Sequence, residues 1–210
     1  MNATGRSRPG PFSAADVELI SRETFFERYS RLHVLHLRHR LFRGGWSRQI
    51  EREVFERKSA AAVLPYDPAR DEVVLVEQFR PGAYAAKLPC FQLEPVAGAV
   101  EPGQDPIEVA RREAREEAGC DIRAFEPICT YTVSPGYSTE IVFTWCGLVD
   151  ARGVGGLHGQ AHEDEDIRVH VLAFENAMKR LVSGECQYAL TIIALQWLAL
   201  HRERLRELWR

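Results

Sequence analysis

Two periodicities of apolar residues run through the chain, one of two residues and one close to that of an α-helix. Apolar and polar residues partly alternate from Leu32 to Phe42 and again from Ile50 to Phe55, with Gly44 and Gly45 between the two stretches. Alternation is typical of half-buried strands, and glycine pairs favour turns. The pattern therefore predicts an early antiparallel hairpin.

Two continuous apolar runs, Ser59 to Pro65 and Val73 to Phe79, are separated by turn-forming residues and are predicted as the central strands. The later predicted elements are three strands, Ile122 to Val133, Glu140 to Val149 and Ile167 to Ala173, and two helices, at about Glu175 to Val182 and Ala189 to Leu208. A glycine-rich connection, Gly153 to Gly159, precedes the last strand. Together with one helix between the strands, this order favours an α/β (α+β) fold, a mixed sheet sandwiched between helices.

Three parts are expected along the chain. Residues 1–12 are predicted to be a disordered amino terminus, and residues 13–57 an amino-terminal extension of antiparallel strands. Residues 58–210 are predicted to form the main domain. A strand pair such as the one in residues 13–57 is only marginally stable alone.

Composition excludes several classes of protein. With 45% hydrophobic and 27% charged residues, the chain is ordinary for a globular protein and is not disordered throughout. A net charge of −3 leaves no positive surplus for a nucleic-acid polymer. The most apolar stretch, Ala189 to Leu200, is too short for a membrane span, and no membrane partner is expected. Five widely spaced cysteines without a Cys-x-x-Cys pair indicate reduced thiols in a cytoplasmic protein.

The firmest local prediction is a helix from Pro106 to Ala118. Asp105 is a favourable N-cap residue, proline suits the first helical position, and Glu108 stands at the spacing of a capping box. Gly119 can adopt the left-handed conformation that ends a helix.

Three carboxylates crowd one face of this predicted helix, because Glu116 and Glu117 lie three and four residues after Glu113. Like charges at this spacing repel, so a positive group should offset them. One interpretation is a solvated face on which Arg112 pairs with Glu108 and Glu116. The other is a site for a hard cation such as Mg²⁺, which takes oxygen ligands and substrate phosphates.

At fixed spacing the segment resembles the signature of the Nudix hydrolase family, which is Gly, five residues, Glu, seven residues, Arg-Glu-apolar-any-Glu-Glu-any-Gly-apolar. The matching residues are Gly98, Arg112, Glu113, Ala114, Glu116, Glu117, Gly119 and Cys120. Gln104 stands where the family has its first glutamate. In the family that glutamate braces the loop against the signature arginine, so the resemblance predicts that the Gln104 side-chain carbonyl accepts a hydrogen bond from Arg112, without the charge.

Most of the chain is similar to one branch of this family, the ADP-ribose pyrophosphatases. Pro135 lies fifteen residues after Cys120, a placement that resembles the marker of ADP-ribose hydrolysing members. The segments Phe55-Glu56-Arg57 and Glu165 to Val169 are also similar to that branch. The resemblance implies hydrolysis of the diphosphate bond of ADP-ribose to AMP and ribose 5-phosphate.

The resemblance also implies how the reaction would be catalysed. Carboxylates alone would repel a diphosphate, so the branch uses Mg²⁺ or Mn²⁺, and more than one ion per site is expected. The implied metal ligands are the Ala97 carbonyl, Glu113, Glu117, Glu116 through water, and Glu165. Glu163, on the acidic loop after the glycine-rich connection, is the implied general base, although Glu163 and Glu165 could exchange roles.

Substrate contacts follow from the same resemblance. Arg80, at the end of a predicted strand, is expected to contact phosphate or ribose, for which a guanidinium is well shaped. The other implied contacts are Arg52, Glu53 and Ala99, Ser134 and Glu140 near the terminal ribose, and Tyr29 against adenine. For each charged residue, a solvated surface side chain is the alternative, and for Tyr29 the alternative is packing.

Members of this branch are homodimers whose amino-terminal strands exchange, so a homodimer is expected, with an intramolecular lid as the alternative. Two other functions remain open. One is a hydrolase of another nucleotide sugar, and the other is a non-catalytic sensor that binds ADP-ribose-like ligands, which only Gln104 favours.

Overall fold

The computed structural model describes residues 12–160 and 164–210 of the chain. Residues 1–11 of the predicted amino-terminal tail therefore lie outside the described residues. The chain divides into two compact units. One holds the described residues up to Lys58 together with Thr132–Glu140, and the other holds Ser59–Tyr131 and Ile141–Arg210.

The first unit is built on a three-stranded antiparallel sheet. Its strands are β1 (Val17–Glu27), β2 (Arg31–His39) and β3 (Ile50–Glu56), in that order across the sheet. The predicted hairpin is confirmed as β2 and β3. Strand β1 was not predicted, because register irregularities between Leu19 and Ser21 and between Thr24 and Phe26 interrupt its alternation.

A distant segment completes the first unit by bonding to β3. The Phe55 N–H donates to the Tyr137 carbonyl at 2.8 Å, and the Thr139 N–H donates to the Phe55 carbonyl at 3.1 Å. The rings of Phe55 and Tyr137 also stack, with centroids 6.0 Å apart. The unit is therefore discontinuous in sequence.

The second unit contains an eight-stranded mixed sheet and four helices. Its strands are β4 (Ser59–Asp67), β5 (Glu72–Phe79), β6 (Phe91–Glu94), β7 (Val96–Val100), β8 (Ala124–Thr132), β9 (Ile141–Leu148), β10 (Gly156–His158) and β11 (Ile167–Ala173). Its helices are α1 (Pro81–Ala85), α2 (Pro106–Ala118), α3 (Phe174–Val182) and α4 (Ala189–Leu208). The strand order is β10-β11-β5-β4-β9-β8, with β6 on β5 and β7 on β4. Strand β4 is parallel to β9 and antiparallel to β5 and β7, so the sheet is mixed.

The central strands bury side chains on both faces of this sheet. Val63 and Val74 pack towards α2, whereas Leu64 and Leu75 pack towards α3 and α4. Full burial of an aliphatic side chain contributes about 1.5–3 kcal/mol relative to exposure. Since both faces of β4 and β5 are apolar, helices must cover both, and the predicted sandwich of a mixed sheet between helices is confirmed.

Helix α2 has the predicted bounds, and its ends explain why. The Asp105 carboxylate accepts a hydrogen bond from the Ile107 N–H at 3.1 Å, and Gly119 ends the helix with φ of 62°. The capping box does not form, because Glu108 lies 3.5 Å from Arg111 instead of returning to the cap.

The elements that were not predicted in this unit are short. Strands β6 and β7 and helix α1 have four or five residues, too few for a period to be recognised. The glycine-rich connection contains the three-residue strand β10, which pairs with β11. Among residues 12–160 and 164–210, no helix has the length and apolar character of a membrane span.

Candidate active site

The site is centred where α2 crosses β7 in the second unit. The side chain of Glu117, near the end of α2, is only 3% exposed. One of its carboxylate oxygens accepts a hydrogen bond from the Ala97 N–H of β7 at 3.2 Å. A predicted ligand on the helix and a predicted ligand on the strand are thus directly connected.

Gly98, the next residue of β7, leaves room for Glu113. A Cβ added at Gly98 would overlap the Oε1, Cδ and Cγ atoms of the Glu113 side chain. The glycine that opens the signature therefore lets a carboxylate lie directly on the strand backbone.

Arg112 holds two of the three helical carboxylates. Its guanidinium lies 2.6 Å from Glu113 and 2.7 Å from Glu116. The predicted pairing of Arg112 with Glu116 is confirmed and that with Glu108 is wrong, since Glu108 pairs with Arg111.

The predicted bond between Gln104 and Arg112 is also wrong. The side-chain carbonyl of Gln104 accepts a hydrogen bond from the Glu101 N–H at 2.9 Å, which closes the turn ahead of α2. Arg112 is drawn to Glu113 and Glu116, because charge-assisted bonds are stronger than a bond to a neutral amide.

Burial and mutual repulsion oppose ionisation of the site carboxylates. Burial, with smaller contributions from the charges of Glu113 and Glu165, raises the pKa of Glu117 to about 8. Burial also raises the pKa of Glu113, to which Glu116 and Glu165 add, while Arg112 lowers it. A bound cation would offset this cost and favour the charged carboxylates.

Glu165 reaches this region from the loop after β10. The Glu165 N–H donates to the Gln160 carbonyl, and the Gln160 N–H donates to the Glu165 carboxylate, both at 3.3 Å. At the base of the loop, the ring of His158 packs against Gly119. The predicted base, Glu163, lies outside the described residues.

The donors fit a hard divalent cation. They are carboxylate oxygens and the Ala97 carbonyl, which Mg²⁺ and Mn²⁺ prefer. Among the described residues, no group of three or more histidine, cysteine, aspartate or glutamate side chains is already arranged to hold a metal ion. Arg112 accounts for this in part, because it draws Glu113 and Glu116 to itself.

Arg80 lies beside this site and pairs with a buried carboxylate. Its Nε and Nη2 atoms donate to the two oxygens of Glu94 at 2.7 and 2.6 Å. Glu94 is fully buried, and the side chain of Arg80 is 38% exposed. Arg80 also lowers the pKa of Glu117, so its charge reaches the metal-ligand candidates.

Sequence reasoning missed Glu94. The segment Phe-Gln-Leu-Glu of β6 alternates, which indicates a polar face in solvent, yet Gln92 and Glu94 are the buried residues. A buried carboxylate needs a cationic partner, and that partner lies fourteen residues earlier. Of the other predicted contacts, Ala99 pairs with Ala60 in the ladder of β7 and β4.

The remaining predicted substrate contacts lie in the first unit. Arg52 and Glu53 are exposed on β3, and Arg52 donates to the Glu51 carbonyl at 2.6 Å. Tyr29 is 70% exposed, with the Lys58 ammonium 5.3 Å from its ring centroid, which excludes core packing as its role within this unit.

Two predicted ribose contacts also belong to this unit. Ser134 accepts backbone hydrogen bonds from Tyr137 and Ser138. Glu140 lies 3.7 Å from Arg57. Both therefore have structural partners inside the first unit.

Known proteins resemble the chain over nearly its whole length. The ADP-ribose pyrophosphatase of Escherichia coli strain K12 is 45% identical over 201 residues, which are 96% of this chain and 96% of that protein. The ADP-ribose pyrophosphatase of Haemophilus influenzae is 37% identical over 203 residues, 95% of this chain and 93% of that protein. The GDP-mannose pyrophosphatase of Cronobacter sakazakii is 31% identical over 150 residues, 71% of this chain and 78% of that protein.

A solved structure supports the fold. The crystal structure of an ADP compounds hydrolase superposes with a TM-score of 0.69 at 18% identity, covering 94% of this chain and 98% of that one. The NUDIX domain model matches residues 56–186, more than half of the chain. That range includes β7 and α2, which bring Glu113 and Glu117 together at Ala97. The resemblance predicted from the spacing is confirmed, and the chain belongs to the Nudix family.

Proposed function

We propose that the protein hydrolyses the diphosphate bond of ADP-ribose to AMP and ribose 5-phosphate. The observation that carries this proposal is the carboxylate group formed by Glu113 and Glu117, which lie against the Gly98 and Ala97 backbone of β7. Relatives that share 45% of their residues over 96% of the chain are ADP-ribose pyrophosphatases, which supports this substrate over other diphosphates.

The carboxylate group can act on a diphosphate only with cations present, because two anionic partners repel each other. Glu113, Glu116, Glu117, Glu165 and the Ala97 carbonyl would hold more than one Mg²⁺ or Mn²⁺ ion. The bound ions would neutralise phosphate oxygens and lower the pKa of water. Gly98 leaves room for the Glu113 side chain, and Arg112 orients Glu113 and Glu116 until cations compete for them.

Glu163 is proposed as the general base that accepts a proton from the attacking water. A positioned base contributes about 10²- to 10⁴-fold in rate. Glu163→Gln should therefore lower kcat by that factor and leave substrate affinity nearly unchanged, whereas Glu165→Gln should raise the metal concentration needed for turnover. The reverse pattern would exchange the two roles.

The substrate contacts implied by the resemblance are proposed as well. Arg80 would contact phosphate or ribose, and Tyr29 would stack on adenine. Ser134 and Glu140 would contact the terminal ribose, and the further proposed contacts are Arg52, Glu53 and Ala99.

A homodimer is also proposed, formed through the amino-terminal strands. In support, β1 exposes large apolar side chains that its own unit leaves uncovered. These residues are Val17, Leu19, Ile20, Phe25 and Phe26. Sedimentation equilibrium should give twice the mass of 23.9 kDa, and a monomer mass would favour a lid within one chain.

A cytoplasmic location is proposed as well. All five cysteines lie among the described residues and are free thiols, with Cys120, Cys146 and Cys186 buried. Free buried thiols are typical of reducing compartments.

A second substrate class, another nucleotide sugar such as GDP-mannose, keeps the same chemistry. The lower identity and coverage of the GDP-mannose pyrophosphatase favour ADP-ribose. A non-catalytic sensor has less support, because the Gln104 side chain accepts its hydrogen bond from the Glu101 N–H and leaves the carboxylates intact.

A substrate panel tests the proposal. Purified protein with Mg²⁺ is incubated with ADP-ribose, GDP-mannose and other nucleotide sugars, and the phosphate-containing products are identified. We expect the highest kcat/KM with ADP-ribose, with AMP and ribose 5-phosphate as products. Equal or greater kcat/KM for GDP-mannose would favour the second class, and binding without turnover would favour the sensor.

A further inference from the structure

We propose that Glu94 is a positioning residue that holds Arg80 so that its Nη1 atom stays available to an oxygen of the substrate. This inference rests on the proposed function, since it assigns how that site binds the diphosphate sugar. Glu94 itself is buried and would not touch the substrate.

The contact between the two side chains is side-on. Nε and Nη2 of Arg80 donate to different oxygens of Glu94, at 2.7 and 2.6 Å. A guanidinium has five N–H donors, so two bonds to Glu94 leave three, and two of those three are on Nη1. Within residues 12–160 and 164–210, Nη1 of Arg80 has no protein acceptor.

The backbone of Arg80 is fixed as firmly as its side chain. Its N–H donates to the Cys90 carbonyl at 2.7 Å, and its carbonyl accepts from the Tyr84 N–H at 3.1 Å. Because both ends of the residue are held, the guanidinium has little freedom to move towards other acceptors.

The position of the pair connects it to the carboxylate group. Glu94 ends β6, three residues before Ala97, whose N–H contacts Glu117. A substrate oxygen near the metal-ligand candidates would therefore lie within the field of Arg80.

Preorganisation is the physical benefit of the pair. A free arginine side chain loses rotamer entropy when it is fixed in one conformation. The bonds to Glu94 fix the Arg80 side chain when the protein folds, so this entropy is not lost again when the substrate binds. The buried carboxylate in turn requires the arginine, because an unpaired buried charge is strongly destabilising.

The experiment is a double-mutant cycle on Glu94→Gln and Arg80→Ala with two measurements. The first is the melting temperature without substrate. The second is the Kd, measured by calorimetry with Mg²⁺, of an ADP-ribose analogue whose bridging oxygen is replaced by methylene. Glu72→Gln is the matched control, because Glu72 receives two bonds from Arg70 on an exposed turn of the same unit.

In the wild-type protein, we expect Glu94→Gln to lower the melting temperature. In the Arg80→Ala variant, we expect the same substitution to raise the melting temperature, because it removes an unpaired buried charge. We expect the Kd to rise about tenfold in Glu94→Gln, the loss expected when one charge-assisted bond is weakened. The double variant should have the Kd of Arg80→Ala, and Glu72→Gln should bind as the wild type does.

An unchanged Kd in Glu94→Gln, or an equal increase in both backgrounds, would overturn the proposal, since either shows that Glu94 does not act through Arg80. If the Glu94→Gln single variant does not fold, the Kd of Arg80→Ala is compared with the Kd of the double variant. Equal values would support the proposal, and a higher Kd in the double variant would overturn it. Wild-type protein that binds the analogue without hydrolysing ADP-ribose would contradict only the proposed function. Wild-type protein that does not bind the analogue would contradict both.

Discussion

The side chain of Glu113 lies directly against the Cα atom of Gly98, in the space that a Cβ atom would occupy. A strand residue without a side chain thus permits a helical carboxylate to reach the strand backbone. The neighbouring residue of the same strand, Ala97, donates its N–H to Glu117.

Gly98→Ala tests this relationship. Because the overlapping atoms belong to the end of a flexible side chain, the methyl group should displace the Glu113 carboxylate and leave the fold intact. We expect kcat/KM for ADP-ribose to fall about 10- to 100-fold, as when the support of a metal ligand is lost, and the required Mg²⁺ concentration to rise. Gly82→Ala is the control, since a Cβ at Gly82 meets no atom within 4 Å. Equal kinetics in the two variants would refute the argument.

Gln104→Glu tests whether the departure from the family signature weakens the enzyme. A glutamate can accept the bond from the Glu101 N–H that Gln104 accepts now, so the turn should be preserved. We expect kcat/KM to change by less than about threefold, well under the tenfold that 1.4 kcal/mol represents. A large increase in steady-state activity would show that the native site is a weakened one.

Glu56→Gln tests the charged group of the first unit. Hydrogen bonds from Arg31 and Arg22 lower the pKa of Glu56 to about 2 from an ordinary value of 4.5. Between these values the unfolded chain binds more protons than the folded one, so the group stabilises the fold above pH 4.5 and loses its effect as the pH falls towards 2.

The midpoints of urea unfolding should therefore differ between wild type and Glu56→Gln at pH 6, and the difference should shrink at pH 3. Glu207→Gln, at an exposed position of α4, is the control. A difference that is independent of pH would mean that the ion pairs do not stabilise the unit.

Asp67→Ala tests the anchor beneath the loop that leads to Glu165. The buried Asp67 carboxylate accepts hydrogen bonds from the N–H groups of Ala69, Arg70 and Ala151, at 3.0 to 3.1 Å. Their loss should lower the free energy of unfolding by about 1–3 kcal/mol, because the buried Ala151 N–H is left without an acceptor and the Ala69 and Arg70 N–H groups lose the bonds that hold their turn. Asp67→Asn keeps one acceptor oxygen, so its free energy of unfolding should fall by less than that of Asp67→Ala. Equal stability of wild type and Asp67→Ala in urea unfolding would contradict this role.

The elements that could be predicted from the sequence are those whose signals are local. Helix α2 has a capping residue, a proline at its first position and a terminal glycine, and its bounds were predicted. Strand β1 was missed because its irregular pairing with β2 is set by a partner strand rather than by its own pattern.

The site was predictable to a similar extent. Fixed spacing indicated Glu113, Glu116 and Glu117, since residues three and four apart share a helix face. The partner of Gln104 could not be inferred, because it depends on the fold of the preceding turn. The burial of Glu94 depends on Arg80, which reaches it from the N-cap position of α1. The role of Glu163 stays a prediction.

The most direct test of the central claim is turnover of ADP-ribose with Mg²⁺ in water enriched in ¹⁸O, followed by mass spectrometry. We predict AMP and ribose 5-phosphate in equal amounts, with one ¹⁸O atom from water in one of the two products. Glu117→Gln should form neither at a comparable rate, because it removes the buried carboxylate at the centre of the site. Intact ADP-ribose after prolonged incubation, or equal turnover by Glu117→Gln, would contradict a carboxylate-held, metal-dependent hydrolysis.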